Sequence, residues 1–248
     1  MRVTVLGSSA SYPGPGQACS GYLVEAAERR VLLDCGHGTL ANLGCVLDPA
    51  SLDAVFLSHG HPDHFADLYA LQALLRFAPS GPMPPLPVHA PAGLLERMAS
   101  ALSGHGREQF FDAFIGMDLL DGETVGIGEL HVTPQSVNHE GEAFALVVEA
   151  EERRLCYSGD SRPDGQLLAA ATGSHLMIAE ATLPEEFAGA APHMTASQAG
   201  SIARSAGAQC LMLTHLWPTT PREEILSAAR ASFDSDVFLA EELLSIEV

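Results

Sequence analysis

The sequence predicts an α/β protein in which two mixed sheets face each other and helices cover their outer sides, a four-layer αβ/βα sandwich. Two observations lead there. Each half of the 248-residue chain passes from closely spaced strand patterns into helical ones. No repeat of the period that marks a solenoid or propeller interrupts this order. The length requires only one domain, so residues 1–248 are read as a single domain.

The elements follow in order. Strands are expected at 3–6, 22–25, 30–34 and 54–58, where β-branched or Leu-rich runs are bounded by turns, and these four are read as one sheet. Residues 65–77 carry Leu68, Leu71, Leu74 and Leu75 at helical spacing, with Pro79 beyond the end. The proline-crowded stretch 78–91 reads as a surface loop around a brief strand at 87–89, a candidate to overhang the site. A helix is expected at 93–102, then strands at 129–134, 143–149, 154–158, 176–180 and 210–214. Helical composition at 196–206 and 223–232 precedes a last strand near 237–239.

Composition narrows the class. An apolar fraction of 47% with 17% charged residues belongs to a compact globular protein. The opening Met1-Arg2-Val3-Thr4-Val5-Leu6 reads as a strand rather than a signal peptide, and no apolar run approaches the ~18 residues of a membrane span. A soluble, cytoplasmic protein without a membrane partner is expected. Cys19, Cys35, Cys45, Cys156 and Cys210 form no CxxC pair, so buried free thiols are expected in place of a disulfide framework or a thiolate zinc knuckle. The net charge of −19 opposes binding of a polyanion, so large nucleic acid is not an expected partner. Bound metal would supply local positive charge.

Chemistry concentrates in Ser58-His59-Gly60-His61-Pro62-Asp63-His64, which sets three imidazoles and a carboxylate between a strand and a helix. Imidazole and carboxylate donors suit Zn²⁺ and other first-row divalent ions such as manganese or iron, and a turn directs them toward a common centre. This HxHxDH stretch resembles the signature of the metallo-β-lactamase superfamily. Val137-Asn138-His139, Ser158-Gly159-Asp160 and Leu213-Thr214-His215 follow in the order that family has. The resemblance implies the metallo-β-lactamase fold and two divalent ions, zinc first. It gives one ion to His59, His61 and His139, the other to Asp63, His64 and His215, with Asp160 bridging both. A shared hydroxide with a pKa lowered toward ~7 would sit between ions ~3.5–4 Å apart. His37, His89, His105, His131 and His175 lie outside these motifs and read as structural or exposed. Cys19 and Cys35 lack paired bases and are poor nucleophiles.

Metal ligands alone do not select a substrate. Asp160 stands where zinc β-lactamases tend to carry cysteine, which argues against antibiotic hydrolysis. Tyr157-Ser158-Gly159-Asp160-Ser161-Arg162-Pro163, Ala179-Glu180-Ala181-Thr182 and His193-Met194-Thr195-Ala196 resemble the ribonuclease Z branch. That resemblance implies a proton-donating relay of Glu180 and His193, which join Asp63 as candidate catalytic residues, and it suggests a homodimer. The basic arm with which ribonuclease Z grips transfer RNA has no equivalent here, and the loop at 78–91 holds no Lys or Arg. Gly7-Ser8-Ser9-Ala10-Ser11-Tyr12-Pro13-Gly14-Pro15 and Cys19-Ser20-Gly21-Tyr22-Leu23 resemble an arm-less bacterial subgroup that includes atypical cyclic-nucleotide phosphodiesterases. The expected activity is therefore hydrolysis of a small phosphodiester such as a cyclic nucleotide. A ribonuclease Z-type endonuclease, an acyl hydrolase (thioesterase or lactonase) and a non-catalytic metal or ligand sensor are the alternatives.

Overall fold

The structure, a computed structural model, describes residues Met1 to Val248. Seven strands form the first sheet: β1 (Arg2–Gly7), β2 (Gly21–Ala26), β3 (Arg29–Leu33), β4 (Ala54–Phe56), β5 (Leu86–Ala90), β6 (Phe114–Asp118) and the last strand, β14 (Ser245–Glu247). Seven more form the second: β7 (Val125–Ile127), β8 (Leu130–Ser136), β9 (Phe144–Ala150), β10 (Arg153–Tyr157), β11 (Leu176–Glu180), β12 (Cys210–Thr214) and β13 (Asp236–Leu239). Their orders are β14-β1-β2-β3-β4-β5-β6 and β13-β12-β11-β10-β9-β8-β7. Each sheet opens as an antiparallel meander and continues in parallel strands from β3 or β10 onward.

Period-two alternation explains the layering. Val3, Val5, Tyr22, Val24, Val31 and Leu33 point to the core between the sheets, where they meet Leu146, Val148, Leu155, Tyr157 and Ile178. Leu6, Leu23, Leu32 and Val55 point the other way, onto α1 (Thr39–Val46), α3 (Leu68–Phe77), α4 (Leu94–Ala99) and α5 (Gly104–Ala113). On the second sheet Cys156, Met177, Ala179 and Leu211 meet α6 (Gly165–Ala171), α7 (Ala196–Ala206) and α8 (Arg222–Arg230). Three apolar layers between four structural ones give the expected sandwich.

Several elements depart from the sequence expectation. The helix expected at 65–77 begins only at Leu68, as α3, after the separate short helix α2 (Pro62–Phe65), because Asp67 donates its N–H to the Cys35 carbonyl and accepts the Leu40 N–H on its carboxylate. That tether draws the ligand-bearing turn against the end of β3. Helix α5 opens Gly104-His105-Gly106, a start that costs about 1 kcal/mol per glycine relative to alanine, and is secured by Ser103 Oγ accepting the Gly106 N–H. The loop at 78–85 folds back on α3, with the Met83 N–H on the Leu75 carbonyl and the Met83 side chain in the first helical layer. It does not overhang the site; only Pro91, at the far end of the expected loop, borders it.

Candidate metal centre

In parallel α/β sheets, functional groups gather where strands end and loops begin. Asp34 follows β3, His59 follows β4, His139 follows β8, Asp160 follows β10, Glu180 closes β11 and His215 follows β12. The Phe144 N–H donates to the Ser58 carbonyl, and His59 bridges to Ala143, so the two sheets are stitched together at this end. Asp34 and His215 hold left-handed backbones, φ 57° and 53°, which non-glycine residues rarely adopt and which aim both side chains inward.

All seven expected ligands converge. His59, His61, His139 and Asp160 bring one donor atom each into a common space, and Asp63, His64 and His215 form a second group. Asp160 lies between them, with Oδ2 3.6 Å from His59 Nε2 and 3.8 Å from His139 Nε2, and Oδ1 3.4 Å from His64 Nε2. His61 Nδ1 and His139 Nε2 stand 3.3 Å apart, as do His64 Nε2 and His215 Nε2. Donors bound at 2.0–2.2 Å to one tetrahedral ion stand roughly 3.3–3.6 Å apart, so these are the separations of co-ligands. His59 Nε2 and Asp160 Oδ1 are buried without any hydrogen-bond partner, a cost of about 1–3 kcal/mol each unless something else fills the space. The donor set and its two orphaned atoms fit a pair of divalent ions.

The surrounding residues fix which ring nitrogen faces inward. Asp34 Oδ2 takes the His64 Nδ1–H, the Tyr157 hydroxyl and the Ser58 hydroxyl, while Oδ1 takes the Ser58 N–H. Ser58 Oγ then accepts from His59 Nδ1, the Pro192 carbonyl from His139 Nδ1, and Thr182 Oγ1 from His215 Nδ1. Each of the four histidines is thereby left with Nε2 directed at the centre. Asp63 Oδ2 accepts the Ser11 N–H at 2.8 Å. Sequence reasoning did not single out Asp34, whose signal was an aspartate at a strand end before Cys35-Gly36.

Glu180 and His193 also arrive as expected. His193 Nδ1 donates to Glu180 Oε1 at 2.9 Å, and the ring lies 5.0 Å from His139 and 5.8 Å from His215, centroid to centroid. Glu180 is fully buried and accepts from the Ser161 N–H, the Thr182 hydroxyl and the Met194 N–H. Burial opposes a charged His193 ring, but the Glu180 hydrogen bond and charge outweigh it and raise its pKa above the ordinary 6.5. Burial likewise opposes ionisation of Asp160, yet His215, His64 and His59 hold it well below the carboxylate range. The thiols stand apart: burial pushes Cys19 and Cys156 up to about 12, so neither serves as a thiolate. Among the other histidines, His89 is buried against Phe56 and His175 Nδ1 accepts the Arg154 N–H, while His37, His105 and His131 are exposed.

This geometry defines a metal-dependent hydrolase centre on a metallo-β-lactamase fold, and the chain belongs to the β-lactamase superfamily, whose domain model matches residues 29–216. Among relatives, uncharacterized protein Rv1339 of Mycobacterium tuberculosis is 36% identical over 247 residues, covering 96% of this chain and 88% of its own. Ribonuclease Z of Methanothermobacter thermautotrophicus is 27% identical over 309 aligned positions, covering 100% and 97%. The crystal structure of the metallo-β-lactamase fold protein YhfI from Bacillus subtilis superposes with a TM-score of 0.88 at 26% identity, over 99% of each chain. No helix is long and apolar enough to cross a membrane.

Proposed function

We propose that the protein is a binuclear metal-dependent phosphodiesterase acting on small phosphodiesters, with a cyclic nucleotide as the leading substrate. The observation that carries this reading is the Glu180–His193 pair set against the two ligand groups between which Asp160 lies. His59, His61, His139 and Asp160 Oδ2 would hold one ion, and Asp63, His64, His215 and Asp160 Oδ1 the other. Zinc suits these donors best, and manganese or iron also fit. Bound there, the ions would supply an activated water and the positive charge a phosphoryl transition state requires.

The protein's own residues supply the rest. Glu180 anchors the His193 ring through Nδ1, so Nε2 carries the transferable proton to a departing alkoxide. Asp63 is positioned by the Ser11 N–H through Oδ2, the same oxygen that stands 3.1 Å from His215 Nε2. A phosphodiester that expels ribose alkoxide needs this proton, whereas a thioester expels a thiolate that leaves readily without one. A sensor without turnover has no use for the relay.

Substrate size follows from charge and from what is missing. At −19 the chain repels RNA, and no basic arm offsets that. The 309 positions aligned with the archaeal ribonuclease Z exceed the 248 residues here by 61, so that enzyme carries sequence with no counterpart in this chain. The test is a parallel assay of metal-loaded protein on bis(4-nitrophenyl) phosphate, 3′,5′-cyclic nucleotides, thioesters, lactones and precursor transfer RNA. Turnover of the first two is expected. Efficient processing of the RNA, or turnover of acyl esters alone, would replace this reading with one of its rivals.

A further inference from the structure

Beyond the relay, the loops that carry the ligands continue into an aromatic and acidic groove. Trp217 lies two residues past His215, hence within about 7 Å along the chain. Tyr12 follows Ser11, whose N–H holds Asp63, and its ring lies 5.8 Å from that of Trp217 at 45°. A tilted pair leaves ring faces uncovered, and Tyr12 is 48% exposed. Trp217 forms one wall of a groove of about 500 Å³. Leu183 and Ala196 bound it next to Thr182 and the His193 segment, and Ile225 adds an apolar floor.

The polar lining has one sign. Glu185, Glu186 and Glu224 line the groove and are exposed, the Glu185 carboxylate being held by the Ser197 N–H and hydroxyl, and no arginine lines it, in a chain that has no lysine. Such a groove repels phosphate and accepts N–H donors. The anionic end of a substrate therefore belongs at the metal ligands, and a flat, amine-bearing ring belongs here.

We propose that the Trp217 groove, whose aromatic wall is backed by Tyr12, is the specificity subsite for the organic group of the substrate and takes an amine-bearing nucleobase, its ring on Trp217 and its exocyclic amine on Glu186 or Glu224. This rests on the phosphodiesterase reading and names the substrate class for it. Base stacking on one aromatic side chain is worth roughly tenfold or more in affinity.

Trp217 is the only tryptophan in the chain, so its emission reports on the groove directly. Metal-loaded wild-type protein is titrated with cytidine, adenosine, uridine and ribose 5-phosphate, with hydrolysis of bis(4-nitrophenyl) phosphate followed in parallel. Cytidine and adenosine are expected to shift the emission saturably and to inhibit hydrolysis competitively. Uridine, which lacks the exocyclic amine, should need roughly tenfold more, and the combined Glu186→Gln, Glu224→Gln variant should lose that discrimination. Any of three results overturns the proposal: no response to the amine-bearing nucleosides, an equal response to ribose 5-phosphate, or an emission that changes with protein concentration alone, which would place a second copy in the groove. Hydrolysis without nucleoside binding would sink this subsite and leave the phosphodiesterase reading standing. Nucleoside binding without phosphodiester hydrolysis would do the reverse.

Discussion

Asp34 Oδ2 and His64 Nδ1 lie 2.7 Å apart with both side chains fully buried, and the contact aims His64 Nε2 at the metal centre. The same oxygen accepts from Ser58 and Tyr157, so one carboxylate organises two sheets around one ligand. An amide in its place would present N–H to groups that are themselves donors. Asp34→Asn is therefore expected to weaken metal binding by roughly 10- to 100-fold, the usual cost of losing a partner behind a metal-bound histidine. Chelator competition on folded protein measures this, and wild-type affinity would show that His64 needs no such orientation.

Metal removal should be felt by the whole fold. Without ions, His59 Nε2 and Asp160 Oδ1 remain buried and unpaired, and five imidazoles crowd two carboxylates. A ligand present at 1,000 times its Kd stabilises by about 4 kcal/mol, which in a chain of this size is on the order of 10 °C in Tm. Exhaustive chelation should lower Tm by that order, and added zinc should restore it. Asp160→Ala should lose both ions together, giving well under one ion per chain by elemental analysis. A variant that keeps one full equivalent would show that Asp160 does not bridge.

How much of this was legible beforehand depended on sequence distance. His59, His61, Asp63 and His64 are contiguous, and their signature could be read from the chain alone. His139, Asp160 and His215 followed only from the order of the family's motifs. Asp34 stayed hidden because its partners Ser58, His64 and Tyr157 lie 24, 30 and 123 residues away, and no local pattern encodes those meetings. Strand β6 was missed because four of its five residues are exposed, which erases the alternation a half-buried strand shows. Strand β14 returns to pair Glu247 with Arg2, a contact between chain ends that periodicity does not register.

Arg97 offers a charge at the rim. It lines a cavity of about 340 Å³ together with His61, and its Nη2 donates to the Gly60 carbonyl at 3.2 Å. Because the guanidinium is exposed, its attraction for an anionic ester is screened and amounts to about 0.5–1 kcal/mol. Arg97→Ala should raise KM for a phosphodiester about two- to fivefold at low ionic strength, with the difference fading as salt is added. A KM effect that persists in high salt would point to lost packing over Gly60 instead of lost charge.

The assignment of His193 makes leaving-group chemistry diagnostic. Glu180 holds its Nδ1–H at 2.9 Å and raises its affinity for a proton, so the ring stays protonated to a higher pH than a free imidazole. A nitrophenolate departs without needing that proton. A ribose alkoxide is a strong base, and general-acid help is worth roughly 10²–10⁴-fold to its departure. His193→Ala should therefore slow hydrolysis of a cyclic nucleotide by that range while slowing bis(4-nitrophenyl) phosphate far less. Glu180→Gln should show the same bias more mildly, because it weakens the donor without deleting it, and should shift the alkaline limb of the rate profile to lower pH. Both variants need metal content equal to wild type, since a lost ion slows every substrate. Equal slowing of both substrates in metal-replete His193→Ala would make His193 a binding residue and leave the departing alkoxide to find its proton elsewhere.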